Sequence, residues 1–102
     1  MTLVGEFRHR EARRLESSFA EALDGGAERL VVDMRTVAIL GPAALRAIVK
    51  GALRARERQT GFAIVRPEPD IWQAFEITGL ADQLPNARSL EEAVEAAATR
   101  AG

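Results

Sequence analysis

Two short apolar segments separated by a helical pattern constrain the fold of this chain more than its other features do. Leu30–Val32, with Met34, and Phe62–Val65 are almost continuously apolar, as expected of strands covered on both faces. Between them, over residues 42–59, apolar residues recur at helical spacing: Leu45, Ile48, Val49, Ala52 and Leu53. A buried strand, a helix and a second buried strand together are typical of an α/β fold with mainly parallel strands.

The pattern of strands and helices continues toward both ends of the chain. Thr2–Phe7 predicts a short strand, and residues 10–23 predict a helix that ends at Asp24-Gly25-Gly26, because glycine accepts the left-handed conformation beyond a helix end. Pro67–Asp70 opens a third helix, and residues 82–85 are predicted to form a very short edge strand. The order β-α-β-α-β-α-(β)-α predicts an α/β fold with a mostly parallel central sheet of about four strands and with four helices.

Local signals set the expected ends of the central and last helices. Pro42 suits a first helical turn, because its missing N–H would be unpaired there anyway, and Gly61 is expected to close the same helix. Ser89–Glu92 has the form of a capping box, in which the serine and glutamate side chains each bond the other residue's backbone N–H. The last helix is expected to pack through its apolar residues Leu90, Ala93, Val94 and Ala97.

Composition limits the classes of function that are open to the chain. Its 102 residues are enough for one domain, which we assign to residues 1–102. The chain has no cysteine, which excludes disulfides and thiolate metal ligands, and His9 is its only histidine. A net charge of −1 gives no general attraction to nucleic acid, and no apolar run approaches the ~20 residues of a membrane span. We therefore expect a soluble cytoplasmic protein with no cofactor or metal, no nucleic-acid binding and no direct membrane insertion.

The polar face of the central helix is the main candidate for a binding surface. Arg46, Lys50 and Arg54 follow the spacing i, i+4, i+8 and therefore form one row. Such a row favours the docking of an acidic partner surface; the alternative is an ordinary solvated face that is balanced by Glu57. No aromatic residue lies among these cations to stack on bases, so the row is not typical of a nucleic-acid site.

Two further residues are candidates either for a site or for a structural role. Asp33 follows the buried strand, where α/β proteins place active sites, but the nearest hydroxyl is that of Thr36 and no base accompanies it. We therefore expect Asp33 to hold the loop 35–41 through backbone N–H groups and expect no enzyme activity. Trp72 follows Ile71 directly, which favours partial cover of the core over the alternative, an interface anchor.

Several segments, taken in order, resemble the STAS domain, the fold of bacterial anti-sigma factor antagonists. The strand Val31-Val32-Asp33 precedes the central helix, and Leu45 matches the family's helix start. Other segments similar to family motifs are Gly5-Glu6-Phe7-Arg8, Arg56–Gly61, Phe75–Leu80 and Ser89–Ala93. The resemblance implies a STAS-like fold and a non-catalytic module that binds a kinase-like anti-sigma factor through the loop 35–41 and the start of the central helix.

The chain departs from the family at the position where a kinase usually phosphorylates a serine. The family usually opens this helix with Asp-Ser-Ser/Thr-Gly-Leu, but here Pro42 and Ala43 occupy the hydroxyl positions, and neither side chain accepts a phosphoryl group. Arg8 replaces an acidic residue that borders the site in many relatives; weak anion binding at the helix start is therefore an alternative use. The resemblance implies that the partner is bound, without the usual switch, by Gly41, Pro42, Ala43, Ala44, Arg46, Lys50 and Arg54.

The sequence leaves other interaction roles open. One is an accessory STAS subunit that is held on the ATPase subunit of an ABC-type lipid transporter. Another is a small-ligand sensor, in which the start of the central helix or an apolar pocket holds a nucleotide or a lipid. A typical relative has another strand before the one at Thr2–Phe7, so an exposed sheet edge could pair with a second copy to form a homodimer.

Overall fold

The computed structural model contains one sheet of four parallel strands, with helices on both faces. The structure describes residues 1–100, and the side chains of residues 1–98. The main elements are β1 (Thr2–Phe7), α1 (His9–Asp24), β2 (Arg29–Leu40), α2 (Pro42–Glu57), β3 (Gly61–Val65), α3 (Pro69–Ile77), β4 (Asn86–Ala87) and α4 (Leu90–Arg100). A short 3-10 helix, Ala81–Gln83, lies between α3 and β4. The predicted α/β fold is confirmed.

The strands lie in the order β1-β2-β3-β4, so β1 and β4 form the edges of the sheet. Leu30 of β2 lies beside Phe62 of β3, so the two apolar segments pair directly in parallel. The last strand is short, with Asn86 beside Ile64. Every connection between neighbouring strands passes through a helix, as parallel pairing requires.

Strand β2 is longer than the sequence predicted. It continues to Leu40, so residues 35–40 are strand and not the expected connector or loop. The continuation follows from pairing with β1, which runs beside β2 until Phe7 lies opposite Leu40. Register shifts along this pair mark irregular points in the ladder. Asp33 therefore lies inside β2, and its predicted position at the end of a strand is wrong.

The two faces of the sheet are covered unequally. One face carries the larger core, to which α1, α2 and α3 contribute Phe19, Ile48 and Phe75. The other face is covered by α4 through a smaller cluster of short side chains: Ala63, Val65, Ala87, Ala93 and Ala97. Helix α4 packs against β2, β3 and β4. Strand β1 is less covered than the other strands on this face, and the side chain of Val4 is 69% exposed.

Helices α1 and α2 approach each other closely at Gly51. A Cβ atom on Gly51 would lie 2.9 Å from the ring of Phe19, well inside the ~3.5–4.0 Å of a comfortable carbon–carbon contact. The Phe19 ring is itself buried and lies tilted against Phe62, with the ring centroids 6.4 Å apart. Because the ring has no free space to move into, this contact requires glycine on α2.

The buried face of α2 consists mainly of small residues, which corrects the predicted apolar stripe. The buried residues of the helix are Ala44, Ala47, Ile48, Gly51, Ala52 and Ala55. Leu45 and Val49 are only partly buried, and Leu53 is 51% exposed. Because α1 comes so close, the larger side chains do not fit at the centre of the helix pair and lie at its edge. The periodicity located the helix but misplaced its buried face.

Several element ends differ from their predicted positions. Helix α2 begins at Pro42 as predicted, but the left-handed residue that follows it is Gln59, with a φ of 58°. Gly61, predicted to stop the helix, is the first residue of β3. The edge strand predicted at residues 82–85 forms instead at Asn86–Ala87, where the chain first reaches the free edge of β3.

Helix α4 packs through fewer residues than predicted. The Ser89 hydroxyl accepts a hydrogen bond of 3.1 Å from the backbone N–H three residues later, as the capping pattern indicated. Ala93 and Ala97 are buried, but Leu90 and Val94 are 46% and 40% exposed. The prediction that these two larger residues pack on the sheet is wrong, because alanines alone let α4 lie close to β3.

The substitution Gly51→Ala is expected to lower the free energy of unfolding by about 1–2 kcal/mol, because the added methyl group overlaps the Phe19 ring. The loss should appear although alanine favours the helix by about 1 kcal/mol. Urea denaturation followed by circular dichroism measures the change. The control Lys50→Ala, at the neighbouring exposed position, should change stability by less than about 0.5 kcal/mol. An unchanged or higher stability for the Gly51 variant would contradict the described contact.

Candidate partner-binding surface

The start of α2 lies where the carboxyl ends of β1 and β2 meet. The Gly41 N–H donates a hydrogen bond of 2.7 Å to the Phe7 carbonyl, and the Gly41 carbonyl accepts one of 3.0 Å from the Leu45 N–H. A Cβ atom on Gly41 would lie 3.3 Å from the Phe7 oxygen and 3.6 Å from the Arg8 Cα. The missing side chain therefore lets the start of α2 lie beside the start of α1.

Only part of the helix start is accessible to another molecule. Pro42 is exposed, and Gly41 and Ala43 are partly buried. Ala44 is fully buried in the core. Since a partner cannot contact a side chain that the helix turns toward the sheet, the assignment of Ala44 to the partner-binding residues is corrected.

The side chain of Arg8 forms an ion pair beside the helix start. Its Nε lies 3.1 Å from Oε1 of Glu6, and both side chains are more than half exposed. The Arg8 backbone N–H donates a hydrogen bond of 2.9 Å to Glu11 Oε1 at the beginning of α1. The neighbouring Glu6 carboxylate thus offsets the positive charge that the sequence suggested for an anion near Pro42.

The predicted row of cations lies on the solvent side of α2. Arg46, Lys50 and Arg54 are all exposed, and within the described part of the chain none of them forms an ion pair, with Glu57 or with another acid. Arg58, just beyond the helix, differs: its Nη2 lies 2.6 Å from Asp24 Oδ1 of α1. The row therefore presents positive charge without a local partner.

Asp33 forms a bidentate ion pair with Arg35, two residues along the same strand. The Arg35 Nη2 lies 2.7 Å from Oδ2, and its Nε and backbone N–H lie 3.0 Å and 3.1 Å from Oδ1. These hydrogen bonds, above all that from the guanidinium, hold the pKa of Asp33 below its ordinary value against the opposing effect of burial. The nearby Thr36 hydroxyl donates to the Leu3 carbonyl at 3.0 Å. Asp33 thus bonds a backbone N–H as predicted, but within a strand.

Trp72 partly covers the larger core, which is the role that the sequence favoured. The indole is partly buried and packs against that core. Its ring centroid lies 5.0 Å from that of Phe75, and the guanidinium carbon of Arg66 lies 5.9 Å from the indole centroid. The Arg66 Nε also donates a hydrogen bond of 2.6 Å to Asn86 Oδ1. This bond links the residue that follows β3 to the first residue of β4.

The described residues of the protein contain no candidate metal site and no candidate membrane-spanning helix. Within the described residues, no group of three or more His, Cys, Asp or Glu side chains is placed to hold a metal ion. His9 lies at the exposed first position of α1. Among the helices of residues 1–100, none is both long enough and apolar enough to cross a membrane.

An apolar cleft beside α2 was not located by the sequence reasoning. It has a volume of about 410 Å³, and its lining includes Val49, Leu53, Arg56, Leu80, Leu84 and Pro85. The available signal was the number of large apolar residues on α2, which exceeds what a helix packed through alanine and glycine can bury. Two of these residues, Val49 and Leu53, line the cleft.

Acidic pH is expected to destabilise the fold partly through Asp33. Because its folded-state pKa lies below the ordinary 3.8, its ion pair contributes stability above about pH 4, and this contribution is lost as pH falls through the lowered pKa. When the pH is lowered below about 4, the free energy of unfolding of Asp33→Asn should therefore fall less than that of the wild type. Urea denaturation at several pH values measures this difference. The exposed control Asp82→Asn should keep the wild-type profile. The same acid profile for all three proteins would contradict this role of Asp33.

Comparisons with known proteins agree with the geometry of the fold. A family model described as "Mlab, STAS domain" matches residues 1–92. BtrV of Bordetella bronchiseptica, named as an anti-sigma factor antagonist, is 30% identical over 94 residues, which cover 92% of this chain and 81% of that protein. The crystal structure of an anti-sigma factor antagonist from Mycobacterium paratuberculosis matches with a TM-score of 0.85 at 25% identity, over 95% of this chain and 82% of that chain.

A more distant structure shares the fold alone. The anti-sigma factor antagonist SpoIIAA, in its unphosphorylated form, matches with a TM-score of 0.72 at 12% identity, over 92% of this chain and 82% of that chain. The family model and the relatives thus cover the same elements, from β1 to α4, that carried the resemblance in the sequence. This chain belongs to the STAS domain family.

Proposed function

We propose that this STAS domain is a cytoplasmic anti-sigma factor antagonist, which acts by binding an anti-sigma factor and not by catalysis. The observation that carries the proposal is its similarity, over nearly the whole chain, to proteins that are named as anti-sigma factor antagonists. Two hydrogen bonds support a non-catalytic role. The Asp33 carboxylate is bonded by Arg35, and the Thr36 hydroxyl donates to the Leu3 carbonyl, so neither group is free to act on a substrate.

The binding site of this proposal is the docking surface, which we define as Gly41, Pro42, Ala43, Arg46, Lys50 and Arg54. It joins an exposed helix start to a row of cations that lack a partner among the described residues. An acidic surface on the anti-sigma factor would complement this row, accelerate association and favour one orientation of the complex. The proposal includes a kinase-like anti-sigma factor as the partner, which is what the family resemblance implies.

The proposed complex is not switched by phosphorylation at the helix start. A phosphoryl group adds a charge of about −1.5 to −2 at neutral pH, which can break an interface by repulsion and desolvation. Pro42 and Ala43 have no hydroxyl to accept it. The fraction of anti-sigma factor that is bound is then set by the concentrations of the two proteins and by their affinity.

Reversing one charge in the row is expected to weaken the complex. Arg46→Glu should reduce affinity for the anti-sigma factor of the same organism about tenfold, because it places a carboxylate opposite an acidic surface. Isothermal titration calorimetry measures the affinity, after a pull-down has identified the anti-sigma factor. The control is Arg29→Glu, which makes the same charge change at the exposed start of β2 and should leave affinity unchanged.

Two results would contradict the proposed function. Equal loss of affinity in the Arg46 and Arg29 variants would show that only the net charge of the protein matters. The docking surface would then not be the binding site. Retention of a transporter ATPase subunit, with no anti-sigma factor bound, would replace the proposed partner by that of an accessory transporter subunit.

A negative charge at the helix start is expected to act as phosphate does at an interface. Pro42→Asp should lower affinity for the anti-sigma factor about tenfold or more, whereas the control Pro42→Ala should keep it. The protein should stay folded, because an acidic residue in the first turn favours a helix; circular dichroism checks this.

Wild-type affinity should not change when MgATP is added. Release of the wild type by MgATP, with phosphate on an exposed hydroxyl such as that of Ser17 or Thr78, would contradict the absence of a switch.

A further inference from the structure

The apolar cleft lies between the second half of α2 and the chain segment that joins α3 to β4. Val49 and Leu53 form the wall on α2, while Leu80, Leu84 and Pro85 form the opposite wall. Its volume of about 410 Å³ falls in the range of ~300–1,000 Å³ that is common for small-molecule sites. None of the cations of the docking surface lines it, so this cleft is a separate feature of α2.

The walls of the cleft leave a large apolar side chain in contact with water. Leu53 is 51% exposed, and Val49 and Leu80 are only partly buried. On the opposite wall, Leu84 is buried. An apolar body that filled this space would remove these side chains from water without any rearrangement of the core.

Among the described residues, one positively charged side chain lines the cleft. Of the described residues that line it, Arg56 alone has an ionised side chain, and no ion pair within residues 1–98 involves that guanidinium. Thr60 also lines the cleft, but its hydroxyl already donates a hydrogen bond of 3.2 Å to the Ala27 carbonyl. Arg56 is therefore the group available to meet a negatively charged ligand head.

Two amide side chains also line the cleft. Gln59 follows α2 with a backbone φ of 58°, the left-handed region that commonly follows a helix end. Gln83 lies on the segment that joins α3 to β4. Their amide groups add hydrogen-bond donors to a lining that includes Arg56.

We propose that the apolar cleft binds a small amphiphile that has one carboxylate head and an acyl-like body. The aliphatic walls suit an alkyl chain, whereas among the described residues no aromatic side chain lines the cleft to stack on a nucleotide base. One cation matches one carboxylate and leaves a di- or triphosphate largely unneutralised. The site goes beyond the proposed function, because its lining shares no residue with the docking surface and it does not depend on an anti-sigma factor.

Titration of the ¹⁵N-labelled protein with sodium octanoate tests the proposal by NMR. Saturable shifts are expected at the backbone amides of Leu53, Gln59 and Leu84, at concentrations below the onset of octanoate micelles. The neutral probe 1-octanol, with the same chain length, should bind at least about fivefold more weakly because it lacks the charge that Arg56 meets. Absence of saturable shifts at these amides, or equal affinity for the acid and the alcohol, would overturn the proposal.

Matched variants separate the head and the body of the ligand. Arg56→Gln should reduce octanoate affinity to that of octanol, while Arg54→Gln, on the docking surface, should leave it unchanged. Leu53→Asp should abolish binding of both probes, since it puts a carboxylate into the apolar wall; its half-exposed position leaves the core intact. If octanoate binds the Arg56 and Leu53 variants as tightly as the wild type, the cleft is not its site.

Discussion

The contact between the Phe19 ring and the α2 backbone at Gly51 determines how the rest of this small domain is arranged. No side chain on α2 separates the two helices at that point, so α1 and α2 lie close together over the same face of the sheet. The hydrogen bond from Gly41 to Phe7 holds the same two helices together at their starts. The start and the middle of α2 are therefore both held against neighbouring elements, and the docking surface is built on a rigid element.

The same close approach gives α2 two different exposed sides. Because alanine and glycine occupy the centre of the interface with α1, Leu53 is displaced toward the cleft and the cations toward solvent. One exposed face of the helix thus presents charge for a protein partner, and the neighbouring face presents an apolar space that Arg56 also lines. The close approach of α1 and α2 and the two proposed binding sites are thus consequences of the same small residues on α2.

The sequence predicted those features that depend on local patterns. The order of strands and helices, the mostly parallel sheet and the first turn at Pro42 all follow from periodicity and from backbone chemistry near each residue. The row from Arg46 to Arg54 was equally predictable, since its spacing needs only the helix itself. Exposure of this row in the structure agrees with the predicted polar face, although its binding role stays a prediction.

Features that depend on contacts between distant residues were not predictable in the same way. Residues 35–40 became strand because β1 lies beside them, and nothing in their own pattern states this. Leu53 is exposed because of where α1 packs, and Ala44 is buried for the same reason. Hydrogen–deuterium exchange of the complex with the anti-sigma factor tests the central claim most directly: we predict protection of residues 41–54 on α2, whereas protection confined to the β1 edge or to α4 would contradict it.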